Sequence, residues 1–156
     1  MDYSKEGRAE HFDAFVHSIE QLSETVKQLT RAETAKAEAA SANEHSRMDS
    51  FLHEEQALIL KVRGLEQQRD RHAGELGWKD MTFRQILAAA DEEDSAVLTP
   101  LFSRLERELK DLTDAREAAG RIITARLREL ELLLGTGSPD GTPGAEAPSY
   151  FHNKYV

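Results

Sequence analysis

Cysteine is missing from this sequence altogether. A disulfide framework and thiolate metal sites are excluded with it, and the composition fits a reducing compartment. Aromatic residues are scarce at 6%, while charged residues reach 31%, a balance that suits long solvated helices with a narrow apolar seam rather than a thick globular core. Basic charge is in deficit: the net charge is −9 and the pI is about 5.2. Such a surface repels phosphate backbones and anionic membrane, which argues against nucleic-acid partners and membrane insertion. No apolar run approaches the roughly 18–20 residues of a membrane span. The opening "MDYSKEGRAEHFDAF" contains no run of signal-peptide length. A cytoplasmic protein is expected. The length, 156 residues, is enough for one domain.

What is present is helical periodicity. Phe12, Phe15, Ile19, Leu22, Val26 and Leu29 recur at steps of three and four, the stripe of an amphipathic helix. Phe51, Leu58, Val62, Leu65 and Leu76 set a second register, with gaps at Glu55, Arg69 and His72. Between them, "AETAKAEAASANEHSRMDS" carries no large apolar residue before Met48. Its alanines keep a backbone helical and allow another helix to come close. A break is expected at "SANEHS". Leu76-Gly77 reads as a helix stop. Thr82 and Gln85 form a capping-box pattern, and Met81 and Ile86 a hydrophobic staple, for a short helix from about Phe83 to Ala90. The carboxylates of "DEEDS" suit the N-terminus of the next helix, with Pro100 in its first turn.

The last long helix carries Leu98, Phe102, Leu105, Leu109, Leu112, Ala119, Ile123, Leu130 and Leu133. Arg116 and Arg126 interrupt this seam, and Gly120 lies inside it. A second row, Ile122, Leu127 and Leu134, widens the apolar face towards the stop at Gly135. The expected fold class is all-α: a long antiparallel helical hairpin or small helical bundle, with a short connecting helix over the turn. Trp78 and Phe83 are expected to plug the end of the antiparallel pair. Residues 1–135 make the helical domain, and residues 136–156 a disordered Gly/Pro-rich tail with an aromatic end, Tyr150, Phe151 and Tyr155.

Catalytic and metal constellations are not found. None of His11, His17, His45, His53, His72 and His152 pairs with another at the spacing that puts two ligands on one helix face. "HEEQA" lacks the second histidine of a zincin motif, and no glycine-rich phosphate loop precedes a helix. Carboxylates alternate with Lys and Arg, as in "RLERELKDL", which reads as a solvated face. No enzyme activity and no cofactor are expected. The widened stripe instead suits a groove that holds a partner's amphipathic helix, with Leu112, Ala119, Ile122, Ile123, Leu127 and Leu130 as its residues. The alternative is a homodimeric coiled-coil scaffold or adaptor whose own dimer seam is that stripe.

The stretch "FLHEEQALILKVRGLEQQR", with Leu58, Ile59, Leu65, Glu66 and Arg69, resembles the FlgN family of flagellar export chaperones. "ELGWKDMTFRQIL" is similar to the leucine-glycine stop and short helix start of many members. Glu33 in "RAE" resembles the glutamate ahead of the family's first helix break, and the glycine-rich tail also fits. The chain departs from the pattern in having "TDAREAAG" where members often carry asparagines, and in placing its first tyrosine after the last helix at Tyr150. The resemblance implies a nucleotide-free cytoplasmic chaperone. Such a protein binds the C-terminal helical segments of the hook-associated proteins of the hook–filament junction. It prevents their premature assembly and delivers them to the type III export gate, with Tyr150, Phe151 and Tyr155 as a gate-docking contact.

Overall fold

The computed structural model describes residues 3–135, with side chains from residue 5. The chain forms α1 (Tyr3–Ser41), α2 (His45–Glu75), α3 (Phe83–Ala89) and α4 (Glu92–Leu134). The tail from residue 136, with Tyr150, Phe151 and Tyr155, lies outside the described residues.

Local chemistry sets each boundary. The α1 helix runs unbroken through the alanine segment and stops where Asn43 takes a left-handed conformation, φ 58°. Asparagine tolerates that geometry, and the Glu44 N–H then donates back to the Ala39 carbonyl at 2.9 Å. At the end of α2, Gly77 does the same at φ 82°, and the Trp78 N–H reaches the Ala73 carbonyl at 2.8 Å. Thr82 and Gln85 close a reciprocal capping box on α3: Gln85 N–H donates to Thr82 Oγ1 at 3.2 Å and Thr82 N–H to Gln85 Oε1 at 2.9 Å. Asp91 caps α4 by accepting from Asp94 N–H at 2.8 Å.

That cap places the start of α4 at Glu92, earlier than Pro100 in a first turn would require. Pro100 therefore lies inside the helix. It forgoes the bond to the Ala96 carbonyl, and its exposed position leaves that carbonyl to water.

The hairpin expectation is corrected in one respect. The α2 and α4 helices run antiparallel, but they do not form the principal pair; each packs along α1, which is the central helix. Antiparallel contacts tie α1 to α2 at His11–His72 and at Lys36–Glu55. Parallel contacts tie α1 to α4 at Arg8–Asp94, Glu24–Arg104, Glu33–Arg116 and Ser41–Arg126. The sequence offset along the last set stays between 80 and 86 where hydrogen bonds mark it, so the two helices keep register over the whole of α1.

Phe12, Phe15, Trp78, Phe83 and Phe102 gather at one end. Trp78, buried behind α2, meets Phe12 and Phe15 edge-on at centroid distances of 6.4 and 5.6 Å. Phe15 meets Phe102 edge-on, and Phe102 stacks on Phe83 at 4.0 Å. This plug closes the end of a three-helix core rather than of a pair. The apolar core continues through Ile19, Leu22, Val26, Leu29, Val62, Leu98, Leu105 and Leu112. Beyond that level it gives way to charge.

Candidate partner-binding surface

The charged interruptions of the apolar stripes are where the helices hold one another. Glu33 and Glu55 are buried, 4% and 6% exposed. Lys36 Nζ lies 3.1 Å from Glu33 Oε2 and donates to Glu55 Oε2 at 3.2 Å. Arg116 Nε stands 3.5 Å from Glu33 Oε1. Two carboxylates and two cations thus form a neutral layer across α1, α2 and α4. Burial away from water, followed by the Glu33 carboxylate, pushes the Glu55 carboxyl above its ordinary value, against the pull of Lys36. The mutual attraction of the buried charges offsets the cost of taking them out of water.

Above the layer, the alanines let α1 and α4 approach closely. Ala32, Ala37, Ala39 and Ala119 are buried there. The small side chains also leave a groove of about 440 Å³ between the helices, lined by Thr34, Ala37, Glu38, Ser41 and Ala42 from α1 and by Ala115, Ala118, Ala119 and Ile122 from α4. Arg126 closes its far end. Its guanidinium donates to the Ser41 carbonyl at 2.6 Å and, more weakly, to the Ala40 carbonyl at 3.4 Å. The Ser41 carbonyl is an orphan acceptor at the end of α1, whereas that of Ala40 also accepts from the Asn43 N–H at 3.2 Å, and a cation there also suits the helix dipole.

Past Arg126, α1 has ended and α4 continues alone. Residues 127–134 project roughly 12 Å at 1.5 Å per residue. Among the described residues no helix covers their apolar side chains: Leu127 and Leu130 are 47% and 44% exposed, and Leu132, Leu133 and Leu134 are 79%, 82% and 73% exposed. Ile122 joins this row to the alanine groove.

The residues expected for partner binding divide accordingly. Leu112, expected at the partner surface, is buried in the apolar core beneath the groove. Ala119 is buried at the groove floor. Ile123 is half-buried, and Ile122, Leu127 and Leu130 are exposed. Leu132, Leu133 and Leu134 are the most exposed large apolar side chains of α4; Leu134 belongs to the expected widened row, whereas Leu132 and Leu133 were not expected at the site. Their consecutive spacing, which one seam cannot absorb, is the signal that would have found them.

Two further features lie at the aromatic end. A cleft of about 700 Å³ runs past Arg69, Asp70, Lys79 and Asp80, but Phe15 and Trp78 at its base are almost wholly covered. It presents mixed charge beside its apolar surface, whereas the alanine groove is almost purely apolar. The His11 and His72 rings face each other with their Nδ1 atoms 3.1 Å apart, a pairing that sequence spacing could not reveal. One ring nitrogen donates and the other accepts, so at least one ring is neutral. Burial, then Arg71 and His11, hold the His72 imidazolium below its ordinary pKa. Among the described residues no group of three His, Asp or Glu side chains could hold a metal ion. No helix among them is long and apolar enough to cross a membrane.

The family model described as FlgN protein matches residues 1–136. No curated protein and no solved structure matches the chain. The matched span takes in all four helices, the alanine groove and the projecting end of α4. The chain belongs to the FlgN family of flagellar export chaperones.

Proposed function

We propose that this chaperone holds the C-terminal helical segments of the hook-associated proteins of the hook–filament junction on the α4 surface that runs from the alanine groove to Leu134. It thereby prevents their premature assembly and delivers them, in the cytoplasm, to the export gate. The observation that carries the reading is the exposed apolar row Ile122, Leu127, Leu130 and Leu134, continuous with a groove whose alanines leave room for a partner's larger side chains. An amphipathic helix docks on such a surface through residues spaced three and four apart. Full burial of one Leu or Ile is worth about 1.5–3 kcal/mol, so a few such contacts suffice for a reversible complex. Tyr150, Phe151 and Tyr155 are the proposed gate contact.

Calorimetric titration of the full chain with the C-terminal segments of its own organism's junction proteins tests the reading, with flagellin's C-terminal segment as control. One-to-one binding of the junction segments is expected. Ile122→Asp and Leu130→Asp should each weaken it at least tenfold while helix content is retained. Absence of binding to every junction segment overturns the reading. Removal of residues 136–156 should spare binding and impair export; loss of binding on truncation would place the tail in the groove instead.

A further inference from the structure

The projecting end of α4 poses a physical problem. A helical segment of two turns with no tertiary support is marginal in water, and its leucines are exposed on several sides at once. Leu132, Leu133 and Leu134 point about 100° apart around the axis, so one straight groove cannot cover them all. Contiguous exposed apolar surface of this kind marks an interaction site.

We infer that, without a client, two copies of this chain pair through residues 127–134 in antiparallel orientation, each projecting end filling the space above the other copy's α1–α2 turn. Charge order and sterics both support this occupant. The segment "RLRELELLL" places Arg128 before Glu131, while Arg126 and Glu129 are already paired with each other within α4 at 2.7 Å. Antiparallel pairing sets Arg128 of one end against Glu131 of the other, twice over by symmetry. A parallel pair is excluded by shape: below Arg126 the same face of α4 is already covered by α1. Only a second end arriving tip-first finds the face free. Leu127, Leu130 and Leu134, at steps of three and four, are spaced to interleave across the two-fold axis.

The consequence for the chaperone rests on the function proposed above. Pairing and client binding use the same leucines, so they exclude one another. A client helix would then bind by splitting the pair, and the empty protein would keep its leucines out of water until loaded.

Sedimentation velocity of the full chain without client tests the pairing directly. The weight-average mass should rise with concentration from 17.5 kDa towards twice that value. Leu130→Glu with Leu134→Glu should hold the protein at monomer mass with the same far-UV spectrum. Arg128→Glu alone and Glu131→Arg alone should each weaken pairing at least tenfold, and an equimolar mixture of the two should recover most of it as a mixed dimer. A wild-type mass that stays at the monomer value into the millimolar range overturns the inference. So does a dimer that survives the double leucine substitution, or a mixture that pairs no better than its components. Failure of junction segments to bind in calorimetry would overturn the chaperone surface and leave this result standing.

Discussion

Lys36→Met removes the cation shared by two buried carboxylates. In the native layer Lys36 Nζ sits 3.1 Å from both Glu33 and Glu55, whose residues are 4% and 6% exposed. Methionine fills nearly the same volume, so packing is preserved and the charge is isolated. Breaking a buried pair by removing one partner costs about 3–5 kcal/mol, because the remaining charge stays out of water. Against a total stability of about 5–15 kcal/mol, the loss is large. The penalty carries a pH signature. Glu55 is already held above the ordinary carboxyl value, and without Lys36 the displacement grows. A carboxyl whose folded pKa is raised contributes stability that is present below the unfolded value and lost as pH rises through the folded one. The deficit of Lys36→Met is therefore greatest at pH 7.5 and shrinks as pH falls towards 4.5. Urea denaturation followed by far-UV circular dichroism at a series of pH values measures it. A loss under about 1 kcal/mol at neutral pH, or a deficit that does not narrow in acid, would refute the claim that the layer is a coupled buried charge set.

The other expectations concern the two ends of the bundle. Trp78→Ala should destabilise the protein by about 3–5 kcal/mol, since it empties the aromatic plug, and the wild-type emission of this lone tryptophan should be blue-shifted and protected from quenchers. Arg126→Ala should speed amide exchange at the end of α1 and in residues 127–134 while leaving the core around Phe15 unchanged, because it uncaps the carbonyls of Ala40 and Ser41. His72 has a folded pKa below 6.5, so its contribution is fully present above that value and is lost as pH falls through the folded one. The stability gap between wild type and His72→Gln should accordingly narrow in acid; a gap independent of pH between 7.5 and 5 would show that the His11–His72 contact is not sensed by folding.

Much of this molecule is legible from local chemistry. The stop at Gly77, the Thr82–Gln85 capping box and the left-handed end at Gly135 follow from side chains acting within a few residues of themselves. Three-four periodicity identifies the core faces of α1, α2 and α4, and the alanine run marks where helices approach closely. The same periodicity extends the seam of α4 from Leu112 to Leu130 without a change, although the structure divides it into a buried half and an exposed half. Nothing local records that the end of α1 lies level with Arg126, so that α4 runs on past it.

The sequence by itself determined an all-helical chain, its helix ends, its lack of a disulfide framework and the apolar stripe that a partner would read. These depend on backbone conformational preference and on side-chain spacing along one helix, both of which act over a few residues. Only the tertiary structure decided that α1 is the central helix, that Glu55, Arg116 and Arg126 interrupt the stripes to meet Lys36, Glu33 and the end of α1, and that the stripe of α4 becomes surface beyond Arg126. Burial is a relation between segments far apart in the chain. A leucine at Leu112 and a leucine at Leu130 have the same spacing and chemistry, and differ only in whether another helix lies over them.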